Sequence, residues 1–425
     1  MANKEFEIIV FGATSFVGKI VCNYLVHEHR EPNLRWAMAA RSEVKLRKLK
    51  ASLGQASVQI PLLVVDAGDE SALRAMCERT AVIISTVGPY ALYGEPLVRS
   101  CVSTGTDYCD LTGEPQWIRR MIHRYHAEAV VGGARIVHCC GFDSIPSDLG
   151  VKYLQQQAMQ QFGSYCSEVK MRVKNLKGGA SGGTIASMLN LYDEMDRDHA
   201  VREQMTDIFS LCPADFQKRT PQQEIKVLYD KDFGSWAGPF VMAAINTRVV
   251  LRSNALRLHS DEQHFSYDEG TLTGLGRKGE KRARRLARGT GLLMRALSIT
   301  LLRGFIKRFV VPKPGTGPSP EAQLTGCYDL RFFGRTAAGQ EISVQVTDDR
   351  DPGYGATARI LAQSALCLCR EVDKEQIKGG FWTPATVFGD AMFARLRNFT
   401  GMRFNVQKIT PEPGVYPQKV SADRR

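Results

Sequence analysis

The stretch from Glu7 to Val21 constrains the fold more than any other. Four apolar residues, Ile8 to Phe11, run into Gly12, and Gly18 follows at the start of a helical pattern that reaches His27. A buried strand, a glycine turn and a helix start are the parts of a site that receives a dinucleotide pyrophosphate. Gly12 lets the chain turn sharply, Gly18 lets the helix pack close to the sheet, and the unpaired N–H groups of the helix start face the phosphates. Ser15 stands where the usual middle glycine would be, so it offers a hydroxyl to phosphate. An ordinary strand-to-helix turn would use the same glycines, but the strand–turn–helix context favours the nucleotide. Gly12, Thr14, Ser15, Phe16 and Gly18 are therefore candidate cofactor contacts.

The next strand, from Arg35 to Ala40, ends at Arg41 and Ser42, with Lys45 one turn later. A site selective for NADH would carry Asp or Glu there for the ribose 2′-hydroxyl. Cations and a hydroxyl suit a 2′-phosphate, so NADPH is expected over NADH. A third strand, Leu62 to Val65, delivers Asp66, either beside the adenine or as the cap of a helix from Ser71. The fourth, Ala81 to Val87, brings Thr86, Gly88 and Pro89 to the crevice, followed by Tyr90 and Tyr93. A fifth spans Asp107 to Leu111. A sixth, Ala134 to Cys139, feeds the loop carrying Asp143 and Ser144. Strands alternating with helices over about 150 residues predict an α/β fold with an N-terminal Rossmann-type, doubly wound parallel sheet.

A chain of 425 residues is too long for one ordinary core. The expected division is a cofactor domain over 1–150 and a second, mixed-sheet α/β domain over 151–425, with C-terminal helices that can return to the first. The eleven cysteines are scattered, without a Cys-x-x-Cys pair, which suggests neither a disulfide scaffold nor a zinc ribbon. No metal site is expected, and His123 and His126 read as a solvated pair. The amino terminus shows no signal or transit pattern, so a cytoplasmic location is expected.

From Gly141 to Asp148 the sequence becomes distinctive, and it resembles the saccharopine dehydrogenase-like oxidoreductases, within them the trans-acting enoyl reductases. Matching stretches are Phe11–Thr14, Gly88–Tyr90, Tyr93–Pro96, Asp110–Glu114, Ser181–Thr184, Asp351–Gly355, Thr383–Ala385 and Gly389–Asp390. They keep their order from about residue 7 to 400. The resemblance implies a Rossmann domain joined to a mixed α/β domain and NAD(P)-linked reduction. In bacterial members it implies reduction of a double bond in a polyketide-derived lipid made by a separate synthase. In animal relatives it implies association with membranes.

Beyond the first domain, residues 168–174 alternate as a strand. Further strands are expected at Phe240–Val250, Cys327–Phe333 and Gln340–Thr347, and helices at Gly355–Arg370 and Val387–Leu396. Gly179, Ser181 and Gly183 formally fit the Gly-x-Ser-x-Gly nucleophile elbow, with His199, His259 and His264 as possible partners. A helix start facing cofactor or substrate is the preferred reading.

The net charge of +12 is concentrated in residues 277–311, which hold eleven Lys/Arg against the single acid Glu280. The longest run near the centre of its apolar part, Ala296–Leu302, is seven residues, too short to span a bilayer. On a helical projection Lys281, Arg284, Arg285, Arg288, Arg295, Arg303 and Lys307 share one arc. Leu293, Met294, Leu297, Leu301 and Phe305 lie opposite, unless Gly289 or Gly291 breaks the helix. An amphipathic basic helix on an anionic membrane explains both faces and predicts peripheral membrane association. Packing of the apolar face within the second domain, or against another copy in a homodimer, is the alternative. Sparse aromatic residues argue against nucleic acid.

Reduction of a carbon–carbon double bond needs a hydride and a proton. Tyr90, Tyr93, Asp143 and Ser144, all at strand carboxyl ends, are the candidate proton donors or positioning groups. Two function classes follow: an NADPH-dependent reductase of lipid-like acyl substrates at a membrane, or a non-catalytic cofactor-binding adaptor or redox sensor.

Overall fold

The apolar runs of the first 140 residues become β1 (Phe6–Phe11), β2 (Trp36–Ala40), β3 (Leu62–Val64), β4 (Thr80–Ser85), β5 (Asp107–Asp110) and β6 (Arg135–Val137). The computed structural model describes residues 4–178, 182–217, 219–257, 264–309 and 317–410. Its later strands are β7 (Cys166–Lys177), β8 (Leu228–Asp230), β9 (Ser235–Pro239), β10 (Ser266–Gly274), β11 (Cys327–Thr336), β12 (Glu341–Asp348), β13 (Gly380–Trp382) and β14 (Arg403–Thr410).

Two seven-stranded sheets result. The first has the order β13-β6-β5-β4-β1-β2-β3 and every pair in it is parallel. The second has the order β14-β12-β11-β7-β10-β9-β8. In it β7 and β10 run parallel and the other pairs antiparallel. This is the expected Rossmann-type sheet with a second mixed sheet. The chain winds outward from β1 to β3, then crosses back to β4, so the carboxyl ends of β1 and β4 flank the crevice where doubly wound sheets bind ligands.

Two elements differ from their sequence reading. The expected strand Phe240–Val250 is a helix, Ala243–Leu256, entered after β9. Its apolar residues are rich in β-branched types, but its polar ones decide the period. Asn246 and Ser253, seven apart and both buried, share a face. From it Asn246 bonds Ser147 and Glu269, and Ser253 bonds Asp148. The expected helix Val387–Leu396 is divided into Pro384–Val387 and Ala391–Phe399. Between them Gly389 takes φ +59°, a left-handed conformation that interrupts the helix.

The helix Thr357–Arg370 is buried without interruption from Thr357 to Leu368 and packs on β1, β4, β5 and the helix Phe16–His27. Together with β13 on the edge of the first sheet, it carries the C-terminal part of the chain back against the amino-terminal part. A helix with no solvated face is held by burial on all sides.

Gly18 is where local sequence and packing meet. A Cβ there would lie 2.2 Å from the Gly12 carbonyl oxygen, so only glycine allows the helix its approach to β1. Gly18→Ala should cost about 1–3 kcal/mol, the range for overpacking. By contrast Gly289 lies in a helix where an added Cβ would meet nothing within 4 Å, and Gly289→Ala should stabilise by about 0.5–1 kcal/mol. Urea denaturation of both variants checks the pair of signs.

Candidate active site

The cofactor groove is built from the β1 turn upward. Gly12 has φ +85°, and a Cβ there would sit 2.7 Å from both Thr86 Oγ1 and Val87 Cγ2. Ser15 has φ −66° and ψ 167°, ordinary extended backbone, so its position does not require glycine. Its hydroxyl accepts from the Gly18 N–H at 2.9 Å and lies 3.0 Å from Thr86 Oγ1, while Thr86 donates to the Gly12 carbonyl at 2.9 Å. Ser15 is thus the helix cap, is fastened to the β4 end and lines the cavity. Thr14 and Phe16 line the same cavity, with Phe16 edge-on to Tyr354 at 4.8 Å.

Farther along, Arg41, Ser42, Lys45 and Lys48 line the cavity. Ser42 caps the helix Glu43–Ser52 by accepting from Lys45 N–H at 3.4 Å. Arg41, Lys45 and Lys48 are exposed and make no ion pair among the described residues. Three uncompensated cations beside a glycine turn fit a 2′-phosphorylated dinucleotide. Lys48 was legible only as the helical neighbour of Lys45. Asp66 lines the cavity, where its carboxylate accepts from Gly68 N–H at 2.9 Å. The helix cap expected of it is made instead by Asp69, which accepts from Ala72 N–H at 3.0 Å, because the helix starts at Glu70. Gly88 and Pro89 complete the wall beside Thr86.

The four candidate donors separate. Tyr90 is buried, with its hydroxyl donating to the Ser85 carbonyl at 3.0 Å and its ring on Trp117. Burial pushes its phenol well up. Ser144 is buried away from the cavity and donates to Asn246 Oδ1 at 3.0 Å. Both side chains are tied into packing, which the sequence could not show because their partners are remote or main-chain. Tyr93 and Asp143 line the cavity, and so does Tyr90, although its hydroxyl is engaged with the main chain. Asp143 is half-buried, its carboxylate has no hydrogen-bond partner among the described residues, and burial pushes it up to about 6.

Glu114 and Ser187 also join the site; Glu114 closes the matching stretch Asp110–Glu114, while Ser187 has no signal of its own in the sequence. The Glu114 carboxylate accepts from Tyr90 N–H at 2.8 Å, Ala91 N–H at 2.9 Å and Ser187 Oγ at 2.7 Å. Burial raises it, opposed by those three bonds. It joins the loops after β4 and β5 to the helix Gly182–Arg197. Ser181 of the Gly-x-Ser-x-Gly pattern lies outside the described residues, as does His259. Among the described residues no group of three His, Cys, Asp or Glu could hold a metal ion.

The groove opens into one cavity of about 2090 Å³, whose other half is apolar. Met188, Leu191 and Met195 enter it from the helix Gly182–Arg197, Met242 and Ile245 from the helix after β9, and Met294 and Leu297 from above. The last two belong to the basic segment, which corrects its sequence reading. The helix Gly276–Ser298 runs through Gly289 and Gly291 unbroken and then turns by 103° into Thr300–Phe309. Arg303, expected on the solvated arc, is buried, pairing with Asp193 at 2.9 Å and with Asp196. Leu297 is buried over the cavity, whereas Leu301 is 87% and Phe305 57% exposed. The apolar side is therefore divided between core and surface. Lys307, Arg308 and Val311 have no described side chains. No single described helix is long and apolar enough to cross a membrane.

Comparison with known proteins agrees with this geometry. The family model of the saccharopine dehydrogenase NADP binding domain matches residues 8–137. A Mycobacterium tuberculosis protein, whose name assigns it provisionally to the trans-acting enoyl reductases, is 39% identical over 404 residues, 92% of this chain and 96% of its own. The trans-acting enoyl reductase of Mycobacterium bovis is 36% identical over 413 residues, 93% of this chain and 96% of its own. Among solved structures, apo saccharopine dehydrogenase (L-Glu forming) from Saccharomyces cerevisiae aligns with 95% of this chain and 100% of its own. Its TM-score is 0.53 at 13% identity, a likeness of fold. The cofactor is thus NADP(H).

Arg41→Ala should weaken NADPH by about 1.5–3 kcal/mol, the range for a hydrogen bond to a charged group, and leave NADH affinity unchanged. Isothermal titration with both cofactors measures the difference.

Proposed function

The chain belongs to the trans-acting enoyl reductase family and is an NADP-dependent oxidoreductase. From that premise we propose that it reduces the double bond of a lipid-like enoyl thioester delivered by a separate synthase. The observation that carries this reading is the single cavity, polar and cationic at the β1 turn, apolar beyond Glu114. An apolar chain bound there leaves its functional head at the junction, beside Asp143.

NADPH, when bound, supplies the hydride. The protein's own groups do the rest. Gly12, Gly18 and the start of the helix Phe16–His27 would accommodate the cofactor's phosphates, and Arg41, Lys45 and Lys48 would hold its 2′-phosphate. The helix Gly276–Ser298 above the cavity and the methionine-rich wall exclude water from the chain. Asp143, protonated, gives its proton to the carbon next to the thioester carbonyl. Glu114 and Tyr90 keep the flanking loops in place. The non-catalytic adaptor reading has no need of a large apolar chamber opening on the cofactor.

Stopped-flow or steady-state oxidation of NADPH with a long-chain 2-enoyl thioester tests the reading, and saturated product should form in equal amount. Because the acid form of Asp143 is the working one, kcat/KM should be flat below about pH 6 and fall tenfold per pH unit above it. Asp143→Asn should remove that limb and lower kcat by about 10²–10⁴-fold, the usual worth of a general acid. An unchanged rate and profile would leave Asp143 with no part in proton transfer.

On the same reading the enzyme works at the cytoplasmic face of an anionic membrane. Supporting it are Arg284, Arg285, Arg288 and Arg295 on the helix Gly276–Ser298, and the exposed Leu301 and Phe305 at its elbow with Thr300–Phe309. Exposed cations on one helix and exposed apolar side chains on the next suit an anionic membrane surface. Co-sedimentation should be strong with anionic and weak with neutral vesicles. Replacing Arg284, Arg285 and Arg288 by Gln should remove about 3 kcal/mol, near 1 kcal/mol for each charge at the surface. Leu301→Ser with Phe305→Ser should weaken the remainder. A change of oligomeric state in that serine variant would identify the patch as a contact between copies instead.

A further inference from the structure

We propose that Met188, Met195, Met205, Met242 and Met294 form a deformable wall, so that the enzyme selects its substrate at the reacting head and tolerates tails of differing shape. This rests on the reading of the apolar half as an acyl chamber.

The placement of these residues is not what composition alone would give. The chain has thirteen methionines, and five line this one cavity. They come from separate pieces of the fold. Met188 and Met195 lie two turns apart on one face of the helix Gly182–Arg197, and Met205 is on the helix His199–Thr206. Met242 caps the helix Ala243–Leu256, and Met294 is on the cap helix Gly276–Ser298. All five are half-buried, so each borders open space and not close-packed core. Met294 is steadied at its sulfur, where Sδ accepts from Tyr192 Oη at 3.3 Å.

An unbranched thioether side chain has three rotatable bonds and a polarizable end, so it re-packs around irregular apolar shapes at little cost. A wall of β-branched or aromatic residues, stiff at χ1, holds one shape. For a rigid apolar pocket, one misplaced methyl or methylene changes specificity by about 10–200-fold. A wall that moves loses most of that discrimination. The head end is the opposite case. There Asp143, Thr112 and the Glu114 loop meet the substrate, and the Glu114 loop is fastened by hydrogen bonds.

Two measurements on the wild-type protein test this. In the first, kcat/KM is compared for 2-enoyl thioesters of equal carbon number whose tails are straight, methyl-branched or bent by a cis double bond. The values should agree within about 5-fold, and a spread above about 10-fold, the lower edge for a rigid pocket, overturns the proposal. In the second, the corresponding saturated free acids displace a fluorescent fatty acid without NADPH, and their affinities should show the same narrow range. This arm separates the two readings. Tolerant binding of tails without any reduction would refute the proposed reaction and keep the deformable wall; selective binding would refute the wall alone. Replacing Met188, Met195 and Met242 together by Ile should widen the spread of both series beyond about 10-fold, while the three Leu replacements, still unbranched at Cβ, should widen it less. If the Ile variant binds all tails as evenly as the wild type, the methionines are not the cause.

Discussion

The carbonyl oxygen of Gly12 occupies the space that a Cβ on Gly18 would need, and the site is arranged around that contact. Because residue 18 has no side chain, the helix Phe16–His27 starts close against β1. Its first N–H groups then open on the crevice between β1 and β4. Ser15 and Thr86 lock the approach from the side by hydrogen-bonding each other, and Thr86 holds the Gly12 carbonyl. The contact also decides what Ser15 can do. Its hydroxyl caps the helix and meets the neighbouring strand end while Ser15 still lines the cavity.

A second joint connects this groove to the rest of the molecule. Glu114 is a buried carboxylate on a loop of the first sheet. Its three hydrogen bonds reach Tyr90, Ala91 and Ser187, the last on a helix that leaves the second sheet. A buried charge needs such compensation, and here it fixes the relative position of three segments. The far end of that helix carries Asp193 and Asp196, which hold Arg303 and thereby the cap. One helix thus runs from the chemical end of the cavity to its lid. Replacing Arg303 would leave charge near that lid without its partner, so the clasp links cap position to the site.

Much of this was legible in the chain itself, for a physical reason. The glycine turn, the Arg41-Ser42 strand end and the regular alternation of strand and helix are local signals, set by backbone geometry and by side chains a few positions apart. The Rossmann sheet, the mixed second sheet and the cofactor followed from them and from the resemblance. What was missed depends on distant partners. The helix Ala243–Leu256 looked like a strand because its buried Asn246 and Ser253 have their counterparts near Ser147 and Asp148. Arg303 looked solvated because its acids are more than a hundred positions earlier. Tyr90 and Ser144 looked available because nothing local says that their hydroxyls are taken. The methionine wall draws on four segments and has no signature in any one of them.

The central claim, that hydride passes from the cofactor to an enoyl carbon while the protein protonates its neighbour, is tested most directly by isotope tracing. NADPH deuterated at the transferable nicotinamide position, turned over in ordinary water with an enoyl thioester, should yield product carrying one deuterium at the β-carbon. Unlabelled NADPH in deuterium oxide should place one at the α-carbon instead. Product lacking cofactor-derived deuterium, or label at the carbonyl carbon from reduction of the thioester itself, would contradict the account.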